Sequence, residues 1–242
     1  MKGIILAGGI GTRLKPLTSI TNKHLLPIWN KPMIEYPLST LVKAGISDIL
    51  IVSGREHAGH FVNYLGSGAD RALRFSYRVQ EEAGGIAHAL GLAEEFVQNE
   101  KFVVVLGDNV FEDNFSGSFV DFEDNDRDCM LFVKEVDDPS RFGVYVENEK
   151  AHPGYIEEKP ETPQSKFAVV GLYGYTSEAF KIIKTLQPSG RGELEITDLN
   201  NWYLKNRLVT VYNIRGFWSD AGTFDSMNAA SNWAKQNNEK NS

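Results

Sequence analysis

The chain has 242 residues, of which 42% are hydrophobic and 24% are charged, and its formal net charge is −7. This length allows one large domain or two small ones, and this composition excludes a disordered chain, a collagen-like repeat and a coiled coil. A negative net charge argues against a broad basic face for nucleic acid and against attraction to an anionic membrane. A few local cations are still sufficient to bind a small anionic substrate.

The cysteine content and the N-terminal sequence indicate in which cellular compartment the protein acts. Cys129 is the only cysteine, so the chain forms no internal disulfide and no cysteine-based zinc site. Its apolar neighbours are typical of a buried strand, which favours a structural thiol over a catalytic one. The first apolar run ends at Ala7, too short for an export signal, and Phe102–Leu106 is too short to span a bilayer. The sequence therefore predicts a cytoplasmic protein.

The order of predicted elements indicates an α/β protein. Strands and helices alternate over the first 106 residues, which predicts right-handed βαβ units, and the run Phe102–Leu106 is typical of a strand buried on both faces. We expect one domain over residues 1–235 and a disordered polar tail over residues 236–242. The predicted strands are Gly3–Ala7, Asp48–Val52, Leu73–Gln80, Phe102–Leu106, Met130–Val136, Val144–Val146 and Ala168–Tyr175. The predicted helices are Met33–Lys43, Glu56–Leu65, Gly85–Val97, Glu178–Thr185, Asp198–Lys205 (capped by Thr197 or Asp198) and one after Gly222.

A glycine-rich loop follows the first predicted strand. It contains Gly8, Gly9 and Gly11 and continues to Arg13. Glycines let backbone N–H groups close on phosphate oxygens, and an arginine adds a planar cation. The alternatives are a tight turn without a ligand and a dinucleotide site, whose glycine spacing fits poorly; an ATP-type P-loop is excluded. Lys23, ten residues beyond Arg13, is either a second cation of this site or a solvated surface charge.

Two aspartates are candidates for a metal site. Asp108 comes two residues after the end of the buried strand Phe102–Leu106, so we expect it at the same sheet edge as the glycine loop. Asp220 lies in a turn between Trp218 and Gly222. Magnesium favours one or two carboxylates together with substrate phosphates. Either aspartate on its own is as typical of a turn or a helix cap, and the sequence alone does not bring the two together.

The segment Glu158-Lys159-Pro160 carries a local constraint. Proline disfavours the helical region for the residue before it, so we expect Lys159 to be extended, with Glu158 and Lys159 on opposite sides of the chain. A charged surface turn is the simpler interpretation. His57 and His60 are three residues apart, and a solvated helix face explains them better than a zinc site does.

Taken in order, the motifs of this chain resemble the signature of the sugar-1-phosphate nucleotidylyltransferases, and the resemblance covers nearly the whole sequence. It implies a Rossmann-like, mixed and mostly parallel sheet flanked by helices. It also implies that a sugar 1-phosphate attacks the α-phosphorus of a nucleoside triphosphate and releases pyrophosphate. The segments that carry it are Gly8–Leu14, Pro16–Thr18, Lys23–Pro27, Lys31–Met33, Gln80–Ala87, Leu106–Asn109, Arg141–Val144, Glu157–Pro160, Gly190–Asp198 and Trp218–Thr223.

The same resemblance implies roles for individual residues. As catalytic groups, Arg13 would neutralise the leaving pyrophosphate and Lys23 the α-phosphate, with Asp108 holding the metal. Asp108 and Asp220 would bind Mg²⁺. The residues implied for the nucleotide are Leu6, Ala7, Gly8, Gly9, Gly11, Thr12, Arg13, Lys23, Gln80, Gly85 and Asp108, and those for the sugar phosphate are Gly143, Glu158, Lys159 and Val169.

The closest members of that family use dTTP and glucose 1-phosphate, and their product, dTDP-glucose, leads to dTDP-sugars such as dTDP-rhamnose for surface polysaccharide. The chain resembles their short form, without the C-terminal helices of a regulatory site, and family members form homo-oligomers, usually tetramers. The family commonly has threonine near the sugar where this chain has Val170. UTP or another hexose 1-phosphate therefore remains an alternative, as does a nucleotide-sugar-binding protein without catalysis.

Overall fold

The computed structural model describes residues 1–147 and 154–240, and within them nine strands form a single sheet. The order along the main path is β10-β9-β11-β6-β1-β4-β5, and β8 joins β11 to β12. The strands are β1 Lys2–Ala7, β2 Pro27–Ile28, β3 Lys31–Pro32, β4 Asp48–Gly54, β5 Arg74–Gln80, β6 Phe102–Leu106, β7 Val110–Phe111, β8 Cys129–Glu135, β9 Gly143–Val146, β10 Tyr155–Glu158, β11 Phe167–Tyr175, β12 Val209–Asn213 and β13 Trp218–Ser219.

The sheet is mixed but mostly parallel, as expected. Strands β6, β1, β4 and β5 pair in parallel, and so do β8 and β12. The pairings of β11 are antiparallel, as is that between β9 and β10, so β10 and β11 are the two strands of the nine that run against the others. The predicted fold class is therefore confirmed.

Helices cover both faces of the sheet. They are α1 Glu35–Lys43, α2 Ala58–Leu65, α3 Ile86–Gly91, α4 Glu94–Val97, α5 Ser116–Asp124, α6 Glu178–Ile183, α7 Ile196–Asn206 and α8 Phe224–Lys240. Alternate residues of β1 enter two apolar layers, with Ile4 and Leu6 in one and Ile5 and Ala7 in the other. None of the helices in the described ranges is long and apolar enough to cross a bilayer.

Each predicted strand is present, with ends that differ by no more than two residues, whereas several short elements were not predicted. The predicted helix Gly85–Val97 is two helices, because α3 ends at Gly91, a poor helix former, and α4 starts at Glu94. Strand β12 was missed although Val209 and Val211 are typical strand residues. Sequence reasoning also missed β2, β3, β7, β10, β13 and α5.

Two predictions about helix ends are wrong. Helix α7 begins at Ile196 with Glu195 at its N-cap, and Thr197 is not a cap, because its hydroxyl donates a hydrogen bond to Glu158 Oε2 at 2.6 Å. Residues 236–240 were predicted to be part of a disordered tail, but they continue α8. The preceding turns of that helix are fixed in an apolar cluster by Ala230 and Ala234, so the polar last turns extend a helix that is already anchored. Residues 241–242 lie outside the described residues.

Candidate active site

The candidate site lies at the carboxyl ends of β1 and β6, where the glycine loop and Asp108 leave the sheet together. This is the edge at which open α/β sheets bind ligands. Two adjoining cavities occupy it, with volumes of about 380 and 300 Å³. We call them the first and the second cavity. Both are lined by Ile86, Leu106, Asp108 and Glu193, so they meet at these four residues.

Small residues and backbone dominate the first cavity. Its other lining residues are Leu6, Gly8, Gly9, Ile10, Gly11, Thr12, Lys23, His24, Gln80, Ala83, Gly85 and Ala89. Gly11 has a φ of +69°, and a Cβ there would lie 2.9 Å from both Lys23 Cβ and Thr18 Cγ2. Both the backbone conformation and the close approach therefore require glycine, as a loop that folds around phosphates needs.

Gln80 lines the first cavity. It is the last residue of β5 and is buried, and its amide nitrogen lies 3.4 Å from Gly85 O and 3.2 Å from His88 Nδ1. A side-chain amide at this place can both donate and accept hydrogen bonds, as the edge of a pyrimidine imide requires.

A buried ion pair lies where the two cavities meet. The Lys23 ammonium donates to Asp108 Oδ2 at 2.5 Å, and each side chain is 13–14% exposed. Burial opposes ionisation of Asp108 most strongly, but the charge of Lys23 and hydrogen bonds from Lys23 and Asn109 outweigh it. The pKa of this carboxyl is therefore lowered, and Asp108 is a carboxylate at neutral pH.

His24 lies beside this pair and lines the first cavity as a neutral side chain. It is 2% exposed, and burial, together with the neighbouring Lys23 charge, lowers its pKa to about 3. Asn22 Oδ1 accepts a hydrogen bond from the His24 backbone N–H at 2.9 Å and lies 2.7 Å from Nδ1 of the ring. The amide of Asn22 in turn donates to Ala7 O at 3.4 Å. These contacts tie the backbone around Lys23 to the end of β1.

Charged side chains from several distant segments line the second cavity. Its remaining lining residues are Arg13, Asn109, Arg141, Phe142, Gly143, Glu158, Lys159, Val169, Gly171, Tyr173, Arg191, Glu195, Ile196, Thr197, Asn200, Trp218 and Asp220. Four of them are cations at neutral pH, which suits a ligand with a phosphate group.

The structure contradicts the predicted geometry of Glu158 and Lys159. Lys159 has a φ of +46°, not an extended backbone, and its ammonium lies 3.2 Å from Glu158 Oε1. The two side chains therefore approach each other. The tertiary structure overrides the preference before proline, because the Lys159 N–H donates to Phe142 O at 2.9 Å. A non-glycine residue in this backbone region is strained, and such strain is concentrated at functional sites.

Arg191 is held in the second cavity by acidic neighbours. Its Nε and Nη2 donate to the two oxygens of Glu195 at 3.2 and 2.8 Å, and Nη2 lies 3.3 Å from Glu158 Oε1. Ser189 also donates to Glu195, at 2.6 Å. The guanidinium is thus positioned beside the predicted sugar-binding residues before any anion is bound.

Asp220 faces the second cavity from the turn after β13. Its Oδ2 accepts a hydrogen bond from Arg141 Nη2 at 3.5 Å. A Cβ placed on Gly222 would lie 3.2 Å from Arg13 Nη2 and 3.5 Å from Asp220 Oδ2, so Arg13 and Asp220 approach the same point. Asp108 and Asp220 line one cavity, and two carboxylates with space for phosphate oxygens form a donor set that fits Mg²⁺.

Most of the predicted site residues lie in one of the two cavities. Those in the first are Leu6, Gly8, Gly9, Gly11, Thr12, Lys23, Gln80, Gly85 and Asp108, and those in the second are Arg13, Asp108, Gly143, Glu158, Lys159, Val169 and Asp220. Ala7 lines neither, because it is fully buried at the end of β1. Val170 is likewise buried in the core and does not line the second cavity, where its neighbours Val169 and Gly171 do.

Sequence reasoning assigned no binding or catalytic role to several residues that line the cavities. They are His24, Asn109, Arg141, Tyr173, Arg191, Glu193, Glu195, Thr197 and Trp218. All but Tyr173 lie in segments that carry the family resemblance, so the motifs marked the right regions. Charged residues next to Gly190 and Gly192, just before a helix, were a signal that could have identified Arg191 and Glu193.

Comparisons with known proteins agree with this geometry. A family model described as nucleotidyl transferase matches residues 2–237. A glucose-1-phosphate thymidylyltransferase of Neisseria meningitidis is 44% identical over 238 residues, which are 97% of this chain and 83% of that protein. One of Mycolicibacterium smegmatis is 40% identical, over 97% of this chain and 82% of that protein.

Solved structures show the same likeness. A Bacillus anthracis protein assigned as a glucose-1-phosphate thymidylyltransferase, in complex with sucrose, superposes with a TM-score of 0.92 at 49% identity, over 97% of this chain and 95% of its own. A UDP-glucose pyrophosphorylase in complex with UDP-glucose gives a TM-score of 0.86 at 27% identity, over 98% of both chains.

Proposed function

Because the chain belongs to the nucleotidyl transferase family, we propose that it transfers a thymidylyl group from dTTP to α-D-glucose 1-phosphate, giving dTDP-glucose and pyrophosphate. The relatives above that are 40% or more identical carry the name of this activity. Within the structure, the observation that carries the proposal is the junction of the two cavities at Asp108, whose carboxylate is paired with Lys23. A nucleotide in the first cavity and a sugar phosphate in the second would meet there.

The residues at the junction suit transfer of a nucleotidyl group. An oxygen of the sugar phosphate attacks the α-phosphorus of dTTP. The bond between that phosphorus and the oxygen that bridges to the β-phosphate breaks, and pyrophosphate leaves with the electron pair of that bond. Such reactions require positioning and charge neutralisation more than covalent help from the protein. Lys23 would neutralise the α-phosphate, and Arg13 the leaving pyrophosphate. Lys159 and Glu158 would hold the phosphate and the hydroxyls of the sugar.

The two aspartates are the proposed ligands of Mg²⁺. Asp108 is ionised and directs one oxygen to Lys23 and the other to Asn109, and Asp220 faces the same cavity. Bound there with substrate phosphates, Mg²⁺ would supply positive charge at the oxygens of the reacting phosphate. Each of these carboxylates has its own cation, because Lys23 pairs with Asp108 and Arg141 pairs with Asp220.

Pyrophosphate release tests the proposal directly. Purified protein with Mg²⁺ is supplied with dTTP or UTP, each in combination with glucose 1-phosphate and with other hexose 1-phosphates. We expect the highest kcat/KM with dTTP and glucose 1-phosphate. No release with any pair would contradict the proposal.

A second candidate uses UTP in place of dTTP. It is favoured by the likeness to the UDP-glucose pyrophosphorylase, which extends over 98% of the chain at 27% identity. The mechanism and the residues would be the same, and the choice between dTTP and UTP would depend on the part of the first cavity lined by Gln80 and Gly85. A higher kcat/KM with UTP in the same assay would establish this candidate.

Two further properties are part of the proposal. The chain would form homo-oligomers, usually tetramers in this family. Light scattering after gel filtration should then give a multiple of 27.0 kDa. The protein would act in the cytoplasm, since Cys129 is a buried thiol that needs no oxidising compartment.

A further inference from the structure

The two acids of the proposed metal site belong to segments that are far apart in the chain. Asp108 follows β6, and Asp220 follows β13. The backbone pairing of β13 is with β7, over two residues, Trp218 with Phe111 and Ser219 with Val110. One more backbone hydrogen bond, from the Glu112 N–H to Phe217 O at 2.9 Å, extends this pairing. So short a ladder is still a weak means of holding one carboxylate at a fixed separation from another. A side chain that links the two segments would hold the two carboxylates more firmly.

Asn109 supplies that link. It is 2% exposed and lies between Asp108 and β7. Its Nδ2 donates to Asp108 Oδ1 at 2.9 Å, and its Oδ1 accepts from Trp218 Nε1 at 2.7 Å. An indole N–H can only donate and a carboxylate can only accept, so these partners determine the orientation of the amide.

A third contact fixes Asn109 to the sheet. Its Oδ1 also accepts from the Gly171 N–H of β11 at 3.0 Å. A Cβ at Gly171 would lie 2.7 Å from Asn109 Nδ2, so glycine permits the approach. The amide is thus bonded to the segment of Asp108, to the central sheet and to Trp218, two residues before Asp220. A buried side chain with all of these bonds made is rigid.

We infer that Asn109 is a positioning residue that sets the separation of Asp108 and Asp220 for a divalent cation. The inference rests on the proposed function, in which these two acids bind the cation. Asn109 acts through the two acids and need not contact the ion. Loss of its bond to Asp108 or to Trp218 leaves one carboxylate free to move relative to the other, which weakens cation binding more than binding of the nucleotide sugar.

Cation binding without turnover is the test. Mn²⁺ is titrated into protein saturated with dTDP-glucose, with no pyrophosphate present, and free Mn²⁺ is followed by electron paramagnetic resonance. Residues that orient metal ligands commonly affect affinity by about 10–100-fold, so we expect Asn109→Ala and Trp218→Phe each to raise the Kd for Mn²⁺ by about tenfold or more. Trp218→Phe keeps an aromatic ring beside Phe142, 5.2 Å away in the structure, and removes only the N–H, so this variant is expected to fold. The double variant should lose no more than Asn109→Ala alone, because both remove the same bond.

Two matched variants provide controls. Asn201 lines neither cavity; its side chain donates to Ile156 O and accepts from the Ile156 N–H, both at 2.8 Å. Asn201→Ala therefore removes a bonded amide outside the site, and Trp202→Phe is the same ring change away from the site. Both should bind Mn²⁺ like the unaltered protein. An equal loss of affinity in Asn201→Ala would overturn the inference.

The remaining outcomes separate this inference from the proposed function. If Asn109→Ala and Trp218→Phe bind Mn²⁺ normally and only the KM for glucose 1-phosphate rises, Asn109 is a sugar contact, and the inference is overturned while the proposed function stands. If the unaltered protein binds no Mn²⁺ in the presence of dTDP-glucose, the metal assignment itself fails, and this inference fails with it.

Discussion

The two cavities share a wall at Asp108, yet they are built in different ways. The first is formed mainly by loops at the ends of neighbouring parallel strands, and it includes buried polar groups, His24 and Gln80. The second collects side chains from segments as distant as Arg13 and Asp220, and its ion pairs reach solvent. Lys159 and Arg191, for example, are 46% and 45% exposed.

This difference has an energetic consequence. Exposed ion pairs contribute about 0–1 kcal/mol to stability, so the cations of the second cavity can exchange a carboxylate for a phosphate at small cost. The buried pair of Lys23 and Asp108 is different, because breaking it leaves an uncompensated charge out of water. Changes in the first cavity should therefore alter both folding and catalysis, whereas changes in the second should mainly alter substrate binding.

The largest effect is expected at the shared wall. Asp108→Asn removes the negative charge that Lys23 faces and one of the two proposed metal ligands. Loss of a charged contact in a transition state commonly costs about 10²–10³-fold in kcat, and we expect at least that reduction in pyrophosphate release. The exposed Asp126 provides the matched control, Asp126→Asn, which should keep full activity. Asp108→Asn protein that stays folded and keeps more than roughly a tenth of its Mg²⁺-dependent rate would refute the role of Asp108.

Lys159→Ala should isolate the second cavity. Its ammonium pairs with Glu158, and both line the proposed sugar-phosphate side. A hydrogen bond to a charged group contributes about 1.5–3 kcal/mol, so the KM for glucose 1-phosphate should rise by about tenfold or more. The KM for dTTP and the melting temperature should change little, because the side chain is half-exposed. Steady-state kinetics with each substrate varied in turn measures this difference. A rise confined to the KM for dTTP would contradict the assignment of Lys159 to the sugar phosphate.

Lys159 also shows where sequence reasoning stopped. The residue was identified as a candidate, but its backbone was predicted to be extended because Pro160 follows it. A hydrogen bond from its N–H to Phe142, a residue of a distant segment, holds it at positive φ instead. The backbone preference set by Pro160 depends only on adjacent residues and takes no account of Phe142. The direction of the Lys159 side chain therefore could not be predicted from its neighbours in the sequence.

The fold was easier to predict than the contacts of the site. Long apolar strands such as β1 and β6 carry their own pattern, and the carboxyl ends of parallel strands necessarily meet, so the glycine loop and Asp108 could be brought together from sequence. The two-residue strand β13 has no such pattern, because its pairing with β7 depends on residues more than a hundred positions away. The location of Asp220 therefore required the structure.

Acid should lower the folding stability of the protein through His24, which lines the first cavity. Its pKa is about 3 in the folded protein and about 6.5 when unfolded, so between these values the unfolded chain holds one more proton. Stability then falls as pH falls, by about 1.4 kcal/mol per pH unit, or about 2 kcal/mol from pH 6.5 to 5. Urea denaturation at several pH values measures the slope. His24→Gln should flatten it, whereas His60→Gln, at an exposed residue of α2, should leave it unchanged. An identical slope in His24→Gln would show that another group is responsible.

The smallest effect is expected from a single methyl group in the glycine loop. At Gly11, alanine would have to adopt a φ of +69° and place its Cβ 2.9 Å from Lys23 Cβ and Thr18 Cγ2. Left-handed backbone costs about 1–2 kcal/mol for a non-glycine residue, so the loop should shift, and the KM for dTTP should rise by about tenfold. Gly59→Ala is the control, because Gly59 lies in α2 with nothing within 4 Å of the added Cβ. Since helical alanine is favoured over glycine, Gly59→Ala should be slightly more stable and fully active. A rise in the KM for glucose 1-phosphate as large as that for dTTP in Gly11→Ala would show that the loop serves both cavities, and the distinction between them would then be lost.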